Sequence, residues 1–494
     1  MTKRLSLATL LALVACLALP AFASAADGPG TANLSTQLNT TWVIVACVLV
    51  LFMQAGFLFL EIGFSRQKNV GAGVAKILVN LGIATIAWWA VGFGISSVDT
   101  ETAGNKIFGT EGFFFQFNQS IGGVNVGGAD TALMLFGMLF CAVSLAIVWG
   151  TTLERIKFSA YVIYATVFAA VIYPLVAHGV YGGGLLADVG GKPVMDFAGS
   201  TVVHLTGAVG GLAALLLLGA RIGKYGPDGK PRAIPGHSMP IAALGVLILW
   251  VGWYGFNAGS TFGTGGGELF AQVALNTQLA AAAGALMAIA TIYYKTKALD
   301  VGMAGNGAIA GLVAITAPSG YVEFQFAPII GGLAGVLVVY GILWVDKHLD
   351  DPVGALSAHG MAGIWGTLSI GLFGSPRLVL PDAAPGVWYS LTDDFSWGST
   401  FGQLGVQAVG VAATFVLVFV LSYATFWAIK QTIGLRVSAE EEEAGLDISS
   451  HGMYGYPEQF IPAEEYGFAS KVPAVPEPPA TPAPTAASTS PSQA

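Results

Sequence analysis

The chain has 494 residues, of which 54% are apolar and only 10% charged, and its formal net charge is −8. Soluble domains carry roughly 25% charged residues, so a water-soluble fold is excluded and the chain is a polytopic membrane protein. Much of the negative charge lies in one acidic tail segment and gives no footing for nucleic acid; the 67 glycines, well above the roughly 7% of average usage, predict tightly packed helices.

In chain order, residues 1–25 read as a secretory signal: Lys3 and Arg4 precede an apolar run from Leu5 to about Leu19, and Ala23-Ser24-Ala25 offers a cleavage site. A lipobox-like reading at Leu13-Val14-Ala15-Cys16 competes with it, but the apolar run continues past Cys16. Eleven apolar stretches long enough to span hydrocarbon follow near 41–64, 72–97, 130–150, 158–177, 201–221, 239–262, 269–293, 303–317, 326–345, 356–374 and 401–429. The expected fold is therefore all-α, with a membrane domain over 39–433.

Loop charges alternate. Arg66 and Lys68, Arg155 and Lys157, Arg221 to Arg232, Lys295 and Lys297, Lys347, then Lys430 and Arg436 fall on one side, while the other holds Lys106, Lys192 and Arg377 among many acids. By the positive-inside rule the basic side is cytoplasmic. The mature N-terminus is then outside and the C-terminus inside, as a cleaved signal plus eleven spans requires.

Two spans open on one frame. Asp196-Phe-Ala-Gly199-Ser-Thr-Val-Val-His204 and Asp351-Pro-Val-Gly354-Ala-Leu-Ser-Ala-His359 both fit D-x2-G-x4-H. The first opens the fifth span from outside and the second the tenth from inside, the relation expected of an inverted repeat of spans 1–5 and 6–10. After Arg436 a polar, acidic segment follows, and from about Val472 the chain is rich in Pro, Ala, Ser and Thr, too poor in apolar surface to fold.

No G-x4-G-K-[ST], H-E-x-x-H or Cys/His cluster occurs, so neither a P-loop pump nor a metalloenzyme is indicated. The ionisable pair at membrane depth marks a transport path by default. Two imidazoles meeting in a dry pore share one proton between facing ring nitrogens. Phe136 and Phe140 lie four apart on the third span; Trp253, Phe256 and Ser260 share one face of the sixth; Tyr181 precedes the fifth. Ring faces attract cations, so an aromatic cup over a histidine-lined apolar pore suits a small monovalent cation that must lose its charge to go further.

These residues resemble the Amt/Mep/Rh ammonium transporters, the Amt side most. The matching segments are Phe52-Met-Gln-Ala-Gly56 with Arg66-Gln-Lys-Asn69, Glu154-Arg-Ile-Lys-Phe158, the Asp196 to His204 frame, Gly255-Phe-Asn-Ala-Gly-Ser260, Asp350 to Gly360, and Gly434-Leu-Arg-Val437 with Gly445-Leu-Asp447 and His451-Gly452. The resemblance runs from about residue 40 to 460. It implies that His204 and His359 are twin pore histidines, Phe140 and Phe256 a stacked gate, Phe136 and Ser260 an outer recruitment site, and Asp196 a structural acid. It further implies eleven helices in an inverted repeat, a homotrimer with a pore in each subunit, a bacterial inner-membrane location, and no cofactor or enzymatic activity. Ammonium would be deprotonated near the gate and ammonia would cross, the proton following so that transport is electrogenic. Residues 434–463 would be a cytoplasmic regulatory tail that meets a PII-type signal protein, with 464–494 a disordered extension outside the family pattern.

Two positions depart from that pattern. Tyr181 stands where the family usually has Trp, and Glu61 where many members have an apolar or aromatic residue; Glu61 reads as a helix-end acid near the cytoplasm rather than a pore residue. Two rival functions remain, a Rh-like electroneutral ammonia channel and an ammonium sensor with little flux.

Overall fold

The computed structural model describes residues 34–97, 105–121, 124–264, 267–391 and 397–460. The expected signal segment and the whole 464–494 extension, like the rest of the chain beyond Phe460, lie outside them. Eleven helical stretches follow one another: α1 Leu34–Phe64, α2 Gln67–Ser96, α3 Gly128–Thr151, α4 Phe158–Tyr181, α5 Ser200–Leu218, α6 Met239–Thr261, α7 Glu268–Thr296, α8 Val301–Thr316, α9 Phe326–Val345, α10 (Leu356–Met361 continued by Ala362–Phe373) and α11 Trp397–Thr432. Among the described residues, nine of these are long and apolar enough to cross a membrane. At 1.5 Å per residue, the 16 residues of α8 reach only about 24 Å, short of a hydrocarbon core roughly 30 Å thick. One departure from an all-helical chain is a small antiparallel pair before α3, β1 Ser120–Ile121 with β2 Val124–Asn125, Ser120 facing Asn125.

Glycine spacing explains the packing. A Cβ on Gly245 of α6 would lie 2.3 Å from the Leu60 nitrogen of α1, and one on Gly63 of α1 2.4 Å from the Ala242 nitrogen. The two backbones therefore touch along a seam that larger residues would wedge open. Corresponding helices of the two halves pair alike: α1 with α3 as α6 with α8, α3 with α5 as α8 with α10, α2 with α4 as α7 with α9.

The segment after α11 folds back on the loops at one end of the bundle, here termed the tail side. Gly434 (φ +77°) turns the chain. Lys157 N donates to Leu435 O, Val437 N to Arg155 O, and Ile222 N to the Glu442 carboxylate. The docking thus uses Arg155 to Lys157 and the start of the Arg221 loop. It also uses the start of α2: Ala72 N donates to Asp447, and Leu446 N to Asn69 Oδ1.

Candidate functional site

Each histidine is carried on a helix entry built by its own frame. Asp196 Oδ1 accepts from Gly199 N and Ser200 N, and its Oδ2 from Thr201 N and Val202 N, at 2.8–2.9 Å. Asp351 accepts from Gly354 N at 3.1 Å and Leu356 N at 2.8 Å. These carboxylates take the amide groups that a helix start leaves unpaired. Gly199 (φ +111°) and Gly354 (φ +77°) supply the left-handed step that brings the chain round. Both helices then open with a wide π-type turn, Ser200–Leu205 and Leu356–Met361, and each histidine sits within it. Such turns recur at functional sites.

The turns bring His204 and His359 together: their Nδ1 atoms lie 3.2 Å apart, and the rings are 0% and 4% exposed. A run of rings leads to them. Phe136 lies 4.3 Å from Phe140, which stacks on Phe256 at 3.9 Å and 5°. Phe256 lies 5.4 Å from the His204 ring, and Trp253 stacks on that ring at 5.2 Å and 17°. Trp253 is fixed by its indole N–H, which donates to Thr316 Oγ1. It therefore flanks the imidazole rather than the far end of the ring line. His204 Nε2 has no hydrogen-bond partner.

At the end of this line away from the tail, buried Ser260 donates its hydroxyl hydrogen to Phe256 O at 2.9 Å. Its lone pairs stay free to accept. Tyr181 ends α4 and is 45% exposed; among the described residues no aromatic ring stacks on it, so the structure does not draw it against Phe136 as a closed cup.

Sequence reasoning missed three parts of the site. Phe262, at φ +53°, caps Phe136 edge to face at 5.8 Å. On the tail side Phe57 lies 6.2 Å from the His359 ring. Below them a cavity is lined by His359, Phe57, Glu61, Gly150, Asn306 and Val353 among others. Glu61 corrects the sequence expectation: it is 1% exposed and faces this cavity, not solvent. The signal was present, because Phe57 and Glu61 are one helical turn apart and so share a face.

The second frame is tied to the tail-side loops by buried charge. Asp350 accepts from Arg221 N, Nε and Nη2 at 2.8–2.9 Å, and its carbonyl accepts from Arg155 Nη2 at 2.7 Å. Arg221 also reaches Glu154, which pairs with Arg66. Burial works against the charge on Asp350, but the Arg221 and Arg155 contacts outweigh it and hold the carboxyl down to about 2. Glu154 is likewise buried, yet Arg221 and Arg66 keep it below the ordinary carboxylate range. No group of three or more metal-ligating side chains occurs among the described residues.

Residues 41–456 match the model of the Ammonium Transporter Family. The chain is 42% identical over 437 residues to ammonium transporter Amt2 of Archaeoglobus fulgidus, covering 86% of this chain and 89% of that one. It is 33% identical to an ammonium transporter of Aquifex aeolicus, covering 85% and 93%. Among solved structures it resembles a sensor Amt protein (TM-score 0.77, 33% identity, covering 85% and 99%) and Candida albicans Mep2 (TM-score 0.70, 25% identity, covering 82% and 87%).

Proposed function

The chain belongs to the ammonium transporter family, whose members are not enzymes, and from that premise we propose how it moves its substrate. Ammonium is drawn in at the Phe136 and Ser260 end, gives up a proton near the Phe140–Phe256 stack, and crosses to the tail side as ammonia. The proton follows through His204 and His359, so transport is electrogenic. The observation that carries this reading is the 3.2 Å Nδ1···Nδ1 contact between two buried imidazoles behind a closed aromatic stack.

Magnitudes decide which species crosses. Taking an unpaired ion into a low-dielectric interior costs on the order of tens of kcal/mol, whereas one aromatic face returns about 0.5–2 kcal/mol. The ring line admits only the neutral form. The facing nitrogens require one imidazole to donate from Nδ1 and the other to accept there. The donor ring then offers a lone pair at Nε2, and the acceptor ring a proton at its own Nε2. A proton taken up at one outer nitrogen and released from the other reverses both tautomers. Charge is thus carried without an ion entering the apolar line.

The same reading gives Asp196 a structural role in capping the first frame, and gives Tyr181, at the exposed end of α4, a weak recruiting role. Eleven spans arranged as an inverted repeat, the mature N-terminus outside and the tail cytoplasmic, fit the paired frames and the basic loops of the tail side. In this arrangement the protein sits in a bacterial inner membrane as a homotrimer, and residues 434–463 form the regulatory tail that a PII-type signal protein meets. The test is ammonium-evoked current in proteoliposomes, with growth rescue of cells lacking ammonium uptake. Flux without current supports the electroneutral ammonia channel instead, and absence of flux supports a sensor.

A further inference from the structure

On the tail side of His359 the pore meets a carboxylate with a free oxygen. Glu61 lines the cavity that His359 also lines, is 1% exposed, and its Oε2 has no hydrogen-bond partner. From α2, Lys76 enters the same layer, also 1% exposed. Its Nζ stands 3.7 Å over the Trp149 ring, has no hydrogen-bond partner, and lies within electrostatic reach of Glu61. Gly150 leaves room for the carboxylate, since a Cβ there would sit 3.2 Å from Oε1.

A structural ion pair buried this deeply is normally locked by hydrogen bonds, because they repay the desolvation of both charges. Here the lysine is held on an aromatic face. Glu61 keeps a carboxyl oxygen free for something in the cavity. We propose that Glu61 receives the proton that leaves His359 and passes it to ammonia arriving in this cavity. An N–H bond of His359 breaks, its electron pair staying on the ring nitrogen, and an O–H bond forms on Glu61. That O–H bond then breaks as ammonia takes the proton, its electron pair staying on the Glu61 oxygen, giving ammonium beside a carboxylate. The proposal rests on the electrogenic reading above and adds the site where substrate and proton rejoin.

The test uses the full chain in proteoliposomes under an ammonium gradient, with current and ammonia entry recorded together, the latter as total ammonia plus ammonium accumulated inside. E61Q keeps the shape but accepts no proton, and is expected to lower the ratio of current to ammonia entry at least tenfold. E61D, which keeps a carboxylate, is expected to recover part of that ratio. A structural role would reduce both signals together, so an unchanged ratio in E61Q overturns the proposal. Should E61Q fail to insert, infrared difference spectra of the wild-type protein serve: a protonated-carboxyl band is expected on adding ammonium, shifted in E61D, and no such band overturns the proposal. Wild-type vesicles that take up ammonia without current would remove the electrogenic reading itself, which the ratio in E61Q does not test.

Discussion

The two histidine frames share one backbone design and differ in what holds it. In both, an aspartate receives the first amide groups of the helix, a glycine takes the left-handed step, and the histidine sits in a wide turn. The residue before Asp196 is anchored by a neutral amide: Gln407 of α11 accepts from Met195 N at 2.8 Å and donates to Met195 O at 2.6 Å. The residue before Asp351 is anchored by ions, Asp350 against Arg221 and Arg155. The imidazoles differ in the same sense, His204 sealed by Trp253 and Phe256, His359 open to a cavity that holds Glu61. Two frames can thus share the geometry that aims a side chain while each takes its own chemistry, one anchored by a neutral amide, the other charged and linked to the loops where the tail docks.

The largest expected effect tests whether the halves are equivalent at the pore. H204A and H359A should each lower ammonium-evoked current by about 10²–10⁴-fold, the usual contribution of a positioned acid or base, at wild-type membrane abundance. If one variant alone loses current, the imidazoles do not act as a pair.

Next come the anchors. D350N removes the counter-charge nearest to Arg221 and Arg155, leaving Arg221 only the 3.5 Å contact to Glu154, and should cost about 3–5 kcal/mol. Q407A, which strips only a neutral amide, should cost about 1–3 kcal/mol. Thermal unfolding in detergent compares them, and a larger loss in Q407A would reverse the contrast. The pH dependence follows from the sign of the shift. Because the Asp350 carboxyl is held down to about 2 in the folded chain, its contribution is complete above the ordinary Asp value of about 3.9. It is lost as pH falls through about 2; D350N should lose less on acidification, the remainder coming from Glu154, which is also held below the ordinary range.

The caps differ less. D196A frees four amides and should cost about 2–3 kcal/mol, against about 1–2 kcal/mol for D351A, by the same unfolding measurement. Equal losses would mean that the extra contacts of Asp196 add nothing. The smallest effect is at the far end of the first half. Tyr181→Trp should lower the ammonium concentration giving half-maximal current, by at most about 1 kcal/mol or fivefold. A rise would show that Tyr181 does not attend the recruitment site.

Much of this arrangement was legible in the chain. Long apolar stretches in a bilayer must satisfy their own backbone groups, which makes them helices, and the eleven stretches read from hydropathy recur within a few residues as α1–α11. The D-x2-G-x4-H spacing identified both histidines because a cap, a left-handed glycine and the first helical turns are local events. The ring contacts from Phe136 to Phe256 were legible only as faces of separate helices. Glu61 shows where sequence reading stops. Its position at the end of an apolar run looks the same whether it meets water or a cavity, and the choice was made by α2 bringing Lys76 beside it and by Gly150 of α3 leaving space. Local sequence determined the helices and the aim of each histidine, since those depend on neighbours along the chain. Tertiary packing alone decided the 3.2 Å meeting of His204 and His359 and the burial of Glu61, because each depends on side chains that separate helices bring together.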